Sequence, residues 1–516
     1  STMSATLFWL IVVFMLFVWF KGLKIKHPPL PPGPPADPTI GHLRKIPTEN
    51  QETTFYEWSK IYGDVIHLRI PGRSIIVLNS KQAAIELLEK RSANYSDRPN
   101  FVVYEIMGWV PTLTFIRYGK QFQKHRRLLQ QYLSRDKCVS YQPIQTRETL
   151  RLLRSLLTSP EQYDHHFSSF ATAITMQIAY GHQINTDEDP YVEITKDVGY
   201  AISNSGPPGS TLVDLFPFLQ YLPSCFPGTH YANQARRYRG AIRQLHEFPF
   251  EETKRRMVSS NEGISKTSYL LYHLNRLNRQ GLSDSPIEVD DVKGTAGVIY
   301  SAGAETTWSS LSVFLLAMIL HPECQLKAQE EIDAVIGSDR LLEFRDRPSL
   351  PYVEACLQES YRWHSAVPLG IPHRSLEDDI YKGMFIPKNS LIIPNSHGIS
   401  LDETVYEDPS AFNPSRYLPR PLGREEPYPV SQFGFGRRIC PGRYLADPSL
   451  WIATASILAT FSISNAIGKD NQPIIPEIAF ISGLTSHPKP FGCVLKPRNE
   501  STYSLVMENG SVDCEA

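Results

Sequence analysis

A single cysteine in a glycine-rich loop constrains this chain more than any other feature. The run Phe433-Gly-Phe-Gly-Arg-Arg-Ile-Cys-Pro-Gly442 places Cys440 just before an apolar stretch of helical length, 444–461. The glycines allow close approach of the backbone to a bulky group, because glycine has no Cβ. The adjacent arginines and the following helix N-terminus favour thiolate over thiol. The run therefore predicts a thiolate that is either a nucleophile or a metal ligand.

The spacing Phe-x-x-Gly-x-Arg-x-Cys-x-Gly in this run resembles the haem-binding signature of the cytochrome P450 family. The resemblance implies that Cys440 is the axial ligand of a haem iron, with Phe433, Gly434 and Arg438 also in contact with haem. Thiolate ligation in that family makes the iron electron-rich and favours cleavage of the O–O bond. For Cys440 taken alone, a buried structural cysteine is the alternative.

A polar interruption in an apolar segment is the second chemical feature. The run Ala302-Gly-Ala-Glu-Thr-Thr307 lies within a predicted helix, 288–320. Glycine costs about 1 kcal/mol in a helix interior, so we predict a local opening where Thr306 bonds its own backbone. The run resembles the family segment that crosses the distal face of the haem. The resemblance implies that Thr306 and Glu305 deliver protons to the oxygen being reduced, whereas a threonine pair alone is more often structural.

A third motif places two opposite charges on a helix that is predicted to be buried. Glu359 and Arg362 stand three residues apart on a predicted helix with apolar neighbours, and such a pair needs a further partner when it is buried. They resemble the family ExxR motif, and the segment Phe412-Asn-Pro-Ser-Arg-Tyr417 resembles the one that completes it. The resemblance implies a structural triad of Glu359, Arg362 and Arg416.

Haem carries two propionates, so cations should lie near them. Arg438 is the first candidate, Arg126 the second, and Arg374 or its neighbour His373 the third. The segment around Arg126 resembles the WxxxR helix of the family, but Phe122 stands where tryptophan is usual. The indole N–H donor is therefore missing from this contact.

Composition excludes several classes of function. The 516 residues carry a net charge of −1, which gives no basis for nucleic acid binding. The 7 cysteines form no CxxC pair, which disfavours a zinc site and a disulfide framework.

The first residues predict a membrane segment. Residues 5–20 carry no charge, and three lysines follow shortly after them. A helix over these residues approaches the span of a hydrocarbon core, which is about 30 Å thick, and the lysines favour a cytosolic location for the rest of the chain. We predict a transmembrane signal anchor at 3–20, a basic and proline-rich hinge at 21–35, a haem-thiolate catalytic domain at 36–500 and a polar, frayed tail at 501–516. The resemblance implies single-pass insertion in the endoplasmic reticulum membrane.

The predicted fold class is α+β, mainly α with small β sheets, and the resemblance implies the cytochrome P450-type fold with one large haem domain. Periodicity predicts helices at 80–91, 119–134, 146–157, 288–320, 322–336 and 351–364, and strands at 65–70 and 74–78. Prolines divide 365–420 into turns and short strands. In the helix after Cys440, Pro448 predicts a local distortion.

By the same resemblance, the substrate pocket lies above the haem. Its predicted lining residues are Phe101, Tyr104, Trp109, Phe115, Val298, Ala302, Val367, Leu369 and Leu484. The stretch 205–228 mixes proline and glycine with apolar side chains, and we predict a mobile lid there that dips into the membrane surface.

The function implied by the resemblance is that of a haem-thiolate monooxygenase. It inserts one oxygen atom of O2 into a C–H bond of an apolar small molecule, uses haem b, and takes electrons from NADPH through NADPH–cytochrome P450 reductase. The residues around His373 and Leu450 are similar to those of fungal members that act in secondary metabolism of terpenoids, polyketides or indoles. The alternatives are a haem-thiolate isomerase or dehydratase of the same fold that does not use O2, a non-enzymatic membrane haem carrier, and a cysteine-nucleophile hydrolase. The last needs a partner histidine that no motif supplies.

Overall fold

The structure is a computed structural model, and it describes residues 27–259 and 268–508. The predicted anchor at 3–20 and the last residues of the polar tail lie outside the described residues. Among the described residues, one helix, Pro286–Leu320, is long and apolar enough to cross a membrane, and 72% of its most apolar window is buried inside the protein. That burial is typical of a central core helix.

Helices dominate the described residues. Periodicity predicted the long helices at 119–134, 146–157, 288–320, 322–336 and 351–364, but it missed others, including Tyr163–Tyr180 and the 30-residue His230–Ser259. The α-helices are α1 (Gln51–Tyr62), α2 (Lys81–Ala84), α3 (Ser92–Tyr95), α4 (Val102–Met107), α5 (Lys120–Tyr132), α6 (Arg135–Val139), α7 (Gln142–Thr158), α8 (Tyr163–Tyr180), α9 (Pro190–Ser203), α10 (Leu212–Leu215), α11 (His230–Ser259), α12 (Tyr269–Arg279), α13 (Pro286–Leu320), α14 (Pro322–Val335), α15 (Pro351–Trp363), α16 (Ser396–Ser400), α17 (Arg443–Thr460) and α18 (Glu500–Glu508). A π-helix, Ile85–Lys90, joins α2 to the turn before α3.

The strands form small sheets beside the helical body. They are β1 (Val65–Ile70), β2 (Arg73–Leu78), β3 (His373–Arg374), β4 (Asp379–Tyr381), β5 (Met384–Ile386), β6 (Leu391–Pro394), β7 (Phe461–Ile467), β8 (Pro473–Ile474) and β9 (Cys493–Pro497). The largest sheet has the order β1-β2-β6-β3, in which β2 and β6 are parallel and the other neighbours are antiparallel. The mainly helical α+β class predicted from the sequence is confirmed.

Helix α13 lies at the centre of the larger hydrophobic core. Its apolar residues pack mainly against α8, and Gly303 makes this possible because a Cβ there would lie 2.6 Å from the Thr175 methyl group. The helix is continuous through Gly303. The predicted local opening at this glycine is therefore wrong, and the residue instead permits close packing of two helices.

The expectation for the tail also needs revision. The segment Glu500–Glu508 forms a helix with Thr502 and Val506 buried, so the prediction of a frayed tail is wrong for these residues. Arg154 donates to the Val506 carbonyl oxygen over 3.1 Å and holds that helix against α7. The hinge prolines also make contacts, since the backbone of His67 donates to the Pro32 carbonyl oxygen over 2.9 Å.

Helix α17 runs through Pro448 without interruption. Proline has no N–H to donate within the helix. The neighbouring Leu445 carbonyl oxygen accepts hydrogen bonds from the side chains of Ser449, at 2.8 Å, and Gln145, at 3.1 Å. Side chains therefore supply hydrogen bonds to the turn that proline weakens.

Candidate active site

The loop that carries Cys440 is held by its own backbone and by a contact with the π-helix. The Cys440 N–H donates to the Phe433 carbonyl oxygen over 2.8 Å, which closes the loop, and α17 begins at Arg443. Gly436 adopts a φ of 56°, and a Cβ there would lie 2.0 Å from the Leu88 carbonyl oxygen. Only glycine fits this position, because any side chain would collide with backbone.

The electrostatic surroundings of the sulfur differ from the sequence prediction. Arg437 is exposed and turns to the Tyr118 hydroxyl, and Arg438 turns to backbone carbonyl groups. The cations that act on Cys440 are Arg126 and Arg443. Burial raises the pKa of the Cys440 thiol, and backbone N–H groups and these arginines offset it only in part. In the protein alone, burial therefore outweighs the effects that favour the thiolate.

Arg438 is a buried cation with backbone carbonyl partners. Its guanidinium donates three hydrogen bonds to carbonyl oxygens, which belong to Ser96 (2.8 Å), Leu113 (3.1 Å) and Ile116 (2.9 Å). It lies 3.9 Å above the ring centroid of Phe122. Burial lowers the pKa of Arg438 to about 9. Phe122 thus lacks the indole donor but offers an aromatic face to the arginine beside it.

A second buried arginine, Arg98, lies near the first and was missed in the sequence. It donates to the carbonyl oxygens of Thr114, Ile371 and Pro372 at 3.2, 2.6 and 2.8 Å. Burial and then the charge of Arg438 hold the pKa of Arg98 well below its usual range. Among the described residues, no carboxylate hydrogen-bonds to either guanidinium.

Arg126 is a third cation of this group, and two residues of strand β3 lie next to the group. Arg126, on α5, donates to the Ile439 carbonyl oxygen next to Cys440, and burial lowers its pKa. On β3, the His373 ring is buried, with Nδ1 2.7 Å from the Tyr95 carbonyl oxygen. The adjacent Arg374 is instead paired with Asp97 at 2.6 Å.

We call Arg98, Arg126 and Arg438 the cation cluster. The His373 ring lies beside them, and burial and the charge of Arg98 hold its pKa well below its usual range, so this ring is neutral near pH 7. Buried cations are normally paired with anions, because removing a charge from water is unfavourable. Here the hydrogen-bond partners in the described residues are carbonyl oxygens, which carry only partial charge. The donor chemistry of the cluster therefore fits a ligand with carboxylate groups next to Cys440, as the two propionates of haem require.

The Glu359 triad is brought together by the fold. The Arg362 guanidinium donates to Glu359 at 2.7 and 2.8 Å, and Arg416 Nε donates to it at 3.0 Å. All three side chains are 0% exposed. Glu426 balances the second arginine at 2.6 Å, and Tyr417 donates to Glu359 at 2.7 Å.

On α13, the predicted proton-transfer residues point to different neighbours. The Thr306 hydroxyl donates to the Ala302 carbonyl oxygen over 2.7 Å, which is the back-bonding expected of this residue. Ala302 is exposed and Thr306 partly exposed in the middle of a buried helix. The Glu305 carboxylate is buried and accepts from Thr485 at 2.9 Å, with His487 Nε2 also at 2.9 Å. Neither partner was recognised in the sequence.

The predicted pocket aromatics form one cluster. The Phe115 ring contacts Phe101, Tyr104 and Trp109 at centroid distances of 5.4, 4.3 and 5.4 Å. The Tyr104 hydroxyl lies 2.8 Å from the Ser205 hydroxyl. The cluster offers an apolar wall built from α4, the residue before it and the loop that follows it.

The remaining predicted pocket residues divide between two cores. Val298, Val367 and Leu484 pack in the same large core as the aromatic residues. Leu369 packs instead in a smaller core, which is formed mainly by apolar side chains of β1, β2 and β6. His246, which was not predicted, joins the aromatics by an edge contact with Trp109 at 5.4 Å. Burial lowers the pKa of His246 to about 3, so this ring adds no charge to the wall.

Comparisons with known proteins agree with this arrangement. The family model described as Cytochrome P450 matches residues 31–494. Cytochrome P450 monooxygenase 136 of Postia placenta is 37% identical over 499 residues, which cover 96% of this chain and 93% of that protein. Cytochrome P450 monooxygenase 176 of the same fungus is 37% identical over 505 residues, covering 97% of this chain and 96% of the relative.

A third relative, cytochrome P450 monooxygenase claR of Ampulloclitocybe clavipes, is 38% identical over 487 residues, which cover 93% of this chain and 89% of that protein. The family model and these relatives span nearly the whole chain, including the cysteine loop, the triad and helix α13. The chain therefore belongs to the cytochrome P450 family and is a monooxygenase of that family.

Proposed function

We propose that this monooxygenase holds haem b through the Cys440 sulfur and inserts one oxygen atom of O2 into a C–H bond of an apolar small molecule. The observation that carries the proposal is the cation cluster beside Cys440, whose buried guanidiniums have carbonyl partners and reduced pKa values. When bound, thiolate-ligated haem supplies an electron-rich iron at which dioxygen is reduced and split. Arg98, Arg126 and Arg438 are the residues that would hold its propionates.

Thr306 and Glu305, both on α13, would deliver protons to the oxygen that is being reduced. Reduction of oxygen to water consumes protons, and a pocket walled by apolar rings has few donors. The Thr306 hydroxyl is back-bonded and partly exposed on this helix, so it can hold a polar atom at a fixed place. Glu305 precedes Thr306 by one residue, and its carboxyl group is the acid that would return a proton to the Thr306 hydroxyl.

For the substrate, we propose an apolar small molecule from fungal secondary metabolism, such as a terpenoid, polyketide or indole. The aromatic wall of Phe101, Tyr104, Trp109 and Phe115 supports an apolar substrate, because aromatic surface binds mainly by burial of apolar area. The fungal origin of the similar monooxygenases supports the metabolic setting.

We propose electron supply from NADPH through NADPH–cytochrome P450 reductase, docked on the face beside Cys440. Lys120, Arg127 and Arg437 are exposed there and can attract an acidic partner. Lys124 is less available, because it pairs with Asp291 at 2.6 Å and also with Glu288.

We also propose attachment to the endoplasmic reticulum membrane by residues 3–20, with the catalytic domain in the cytosol. The segment predicted as a lid supports contact with lipid, since Phe218 and Tyr221 are 61% and 83% exposed. Such exposed aromatic side chains are typical of surfaces that enter the membrane interface.

Substitution of Cys440 tests the proposal. Cys440→Ala should remove the haem-thiolate absorption band of the reduced, carbon-monoxide-bound protein, whereas Cys493→Ala, another partly buried free cysteine, should keep it. Survival of the band in Cys440→Ala would contradict the ligand assignment. Incubation with reductase, NADPH and a panel of terpenoids, polyketides and indoles should give oxygenated products, and product formed without NADPH would instead favour an isomerase.

A further inference from the structure

The buried carboxylate of Glu305 takes its hydrogen bonds from a segment near the end of the chain. His487 Nε2 lies 2.9 Å from Oε1, and the Thr485 hydroxyl donates to the same oxygen over 2.9 Å. Oε2 has no hydrogen-bond partner among the described residues. A Cβ on Gly199 would lie 2.4 Å from Oε2, so the absent side chain of this α9 glycine leaves room for that oxygen.

His487 connects this carboxylate to the outside. The His487 side chain remains 10% exposed. Its ring packs edge-on against Trp308 at a centroid distance of 4.5 Å, and the Trp308 indole donates to the exposed Asp164 over 2.7 Å. The structure gives His487 Nδ1 no hydrogen bond within 27–259 and 268–508. One ring nitrogen therefore contacts Glu305 and the other is free to contact water.

The two partners of Glu305 differ in their access to a proton from solvent. Histidine can release a proton from one ring nitrogen while the other nitrogen binds one, whereas the Thr485 hydroxyl is 5% exposed and accepts no hydrogen bond from the described residues. His364 is the other titratable group beside this segment, but its Nε2 lies 2.9 Å from the Ser486 hydroxyl and its ring stacks on Phe480. His487 is thus the titratable side chain in contact with the Glu305 carboxylate.

We propose that His487 passes protons from solvent to Glu305 for the oxygen chemistry at Thr306. The proton on Nε2 moves to Glu305 Oε1 while Nδ1 binds a proton from water, so the ring charge is the same before and after the transfer. His487 acts through Glu305 and does not touch the reacting atoms. The inference rests on the proposed function, because it needs Glu305 and Thr306 to supply protons there.

The test measures product formed per NADPH, with the panel compound that the wild-type protein oxidises fastest. His487→Gln retains a donor to Oε1 but cannot relay a proton, and His487→Phe has neither property. Both should reduce product per NADPH about tenfold, which is less than the roughly 10²–10⁴-fold contribution of a general acid, because His487 acts only through Glu305. His182→Gln, at a histidine 2.9 Å from Asp189, should change nothing. Wild-type coupling in His487→Gln would overturn the proposal in favour of a structural role.

Two further measurements separate the relay from the proposed function. Glu305→Gln combined with His487→Gln should couple no worse than Glu305→Gln alone, and multiplied losses would overturn the relay. Hydrogen peroxide in place of NADPH and O2 supplies electrons and protons together, so the His487 variants should keep peroxide-driven product formation. Equal loss with peroxide would also overturn the relay. A wild-type protein with no product from either source would overturn the proposed function and this inference with it.

Discussion

The protein buries arginines in two regions, and their partners differ. Arg362 and Arg416 lie among carboxylates, with Glu359 between them and Glu426 beside the second. In the cation cluster, the guanidiniums of Arg98 and Arg438 lie among backbone carbonyl oxygens. Both groups are buried to a similar degree, so the difference lies in charge balance.

The pKa values of Arg362 and Arg438, one buried arginine from each region, shift in opposite directions, which reflects the difference in charge balance. Burial alone would lower the pKa of Arg362, but the hydrogen bonds and charge of Glu359 outweigh it and raise the pKa. Burial lowers the pKa of Arg438 to about 9, and the opposing charges, chiefly that of Asp97, offset it only in part. We call Glu359, Arg362, Arg416 and Glu426 the balanced region, because its charges compensate one another. The cation cluster and the adjacent His373 are the unbalanced region, whose positive charge is available to the anionic ligand that we propose.

The largest effect is expected at the balanced region. Glu359→Gln leaves two buried guanidiniums without their shared anion, and breaking a buried pair costs about 3–5 kcal/mol. Denaturant unfolding should show that loss in the free energy of unfolding. Glu57→Gln, which disrupts an exposed pair with Lys60 at 3.2 Å, should change it by less than about 0.5 kcal/mol. Equal effects at the two sites would contradict the distinction.

At the unbalanced region, the loss should fall on haem retention. If Arg438 binds a propionate as we propose, Arg438→Met removes a charged hydrogen bond worth about 1.5–3 kcal/mol, which corresponds to roughly ten- to hundredfold faster haem loss. Transfer of haem to an excess of apo-globin measures this rate. Arg374→Met is the control, because Arg374 is held by Asp97 at 2.6 Å. Equally fast haem loss from the control would place a propionate on Arg374, as the sequence predicted.

The unbalanced region should also give a pH dependence through His373. Burial, and then Arg98, hold the pKa of His373 well below its usual range. The unfolded chain, with a histidine pKa of about 6.5, therefore binds more protons than the folded chain below that pH. Stability is fully present above about pH 6.5 and falls below it, by at most about 1.4 kcal/mol per pH unit for this group.

Free energies of unfolding of the haem-free chain at pH 7.5 and 5.5 test the histidine. His373→Gln should reduce the loss at the lower pH, whereas His230→Gln, at an exposed site, should not. Bound haem should also reduce the loss, because propionates favour the protonated ring. An unchanged pH dependence in His373→Gln would contradict the assignment.

Local spacing was enough to predict the first pair of the balanced region, whereas Arg416, 57 positions after Glu359, was implied only by the family resemblance and Glu426 was not predicted. Glu359 and Arg362 are one helical turn apart, so their pairing is a property of one helix. The unbalanced region was predicted only in part, because its contacts join distant segments. Arg98 reaches the carbonyl oxygens of Ile371 and Pro372, more than 270 positions later. A carbonyl partner leaves no residue-type signal in the sequence.

The cysteine loop gives the same lesson at shorter range. Arg437 and Arg438 are close to Cys440 along the chain, yet both side chains turn away from the sulfur. Arg126, from a helix far earlier in the chain, and Arg443, which follows the cysteine, act on it instead. The sequence around Cys440 therefore predicted that cations lie near the sulfur, but it did not identify the arginines that act on the sulfur. The direction of each side chain depends on how α5 packs against the loop.

The smallest expected effect concerns Phe122, under the Arg438 guanidinium at 3.9 Å from the ring centroid. Phe122→Leu keeps an apolar side chain but removes the aromatic face, and a desolvated cation–π contact is worth up to about 2 kcal/mol. Haem loss should become faster, though less so than in Arg438→Met. Phe122→Trp should slow it below the Phe122→Leu rate, because indole offers a stronger π face and adds an N–H donor. If Phe122→Leu left haem loss unchanged, the ring would serve only to fill space, and the positive charge of the cluster would be held by carbonyl oxygens alone.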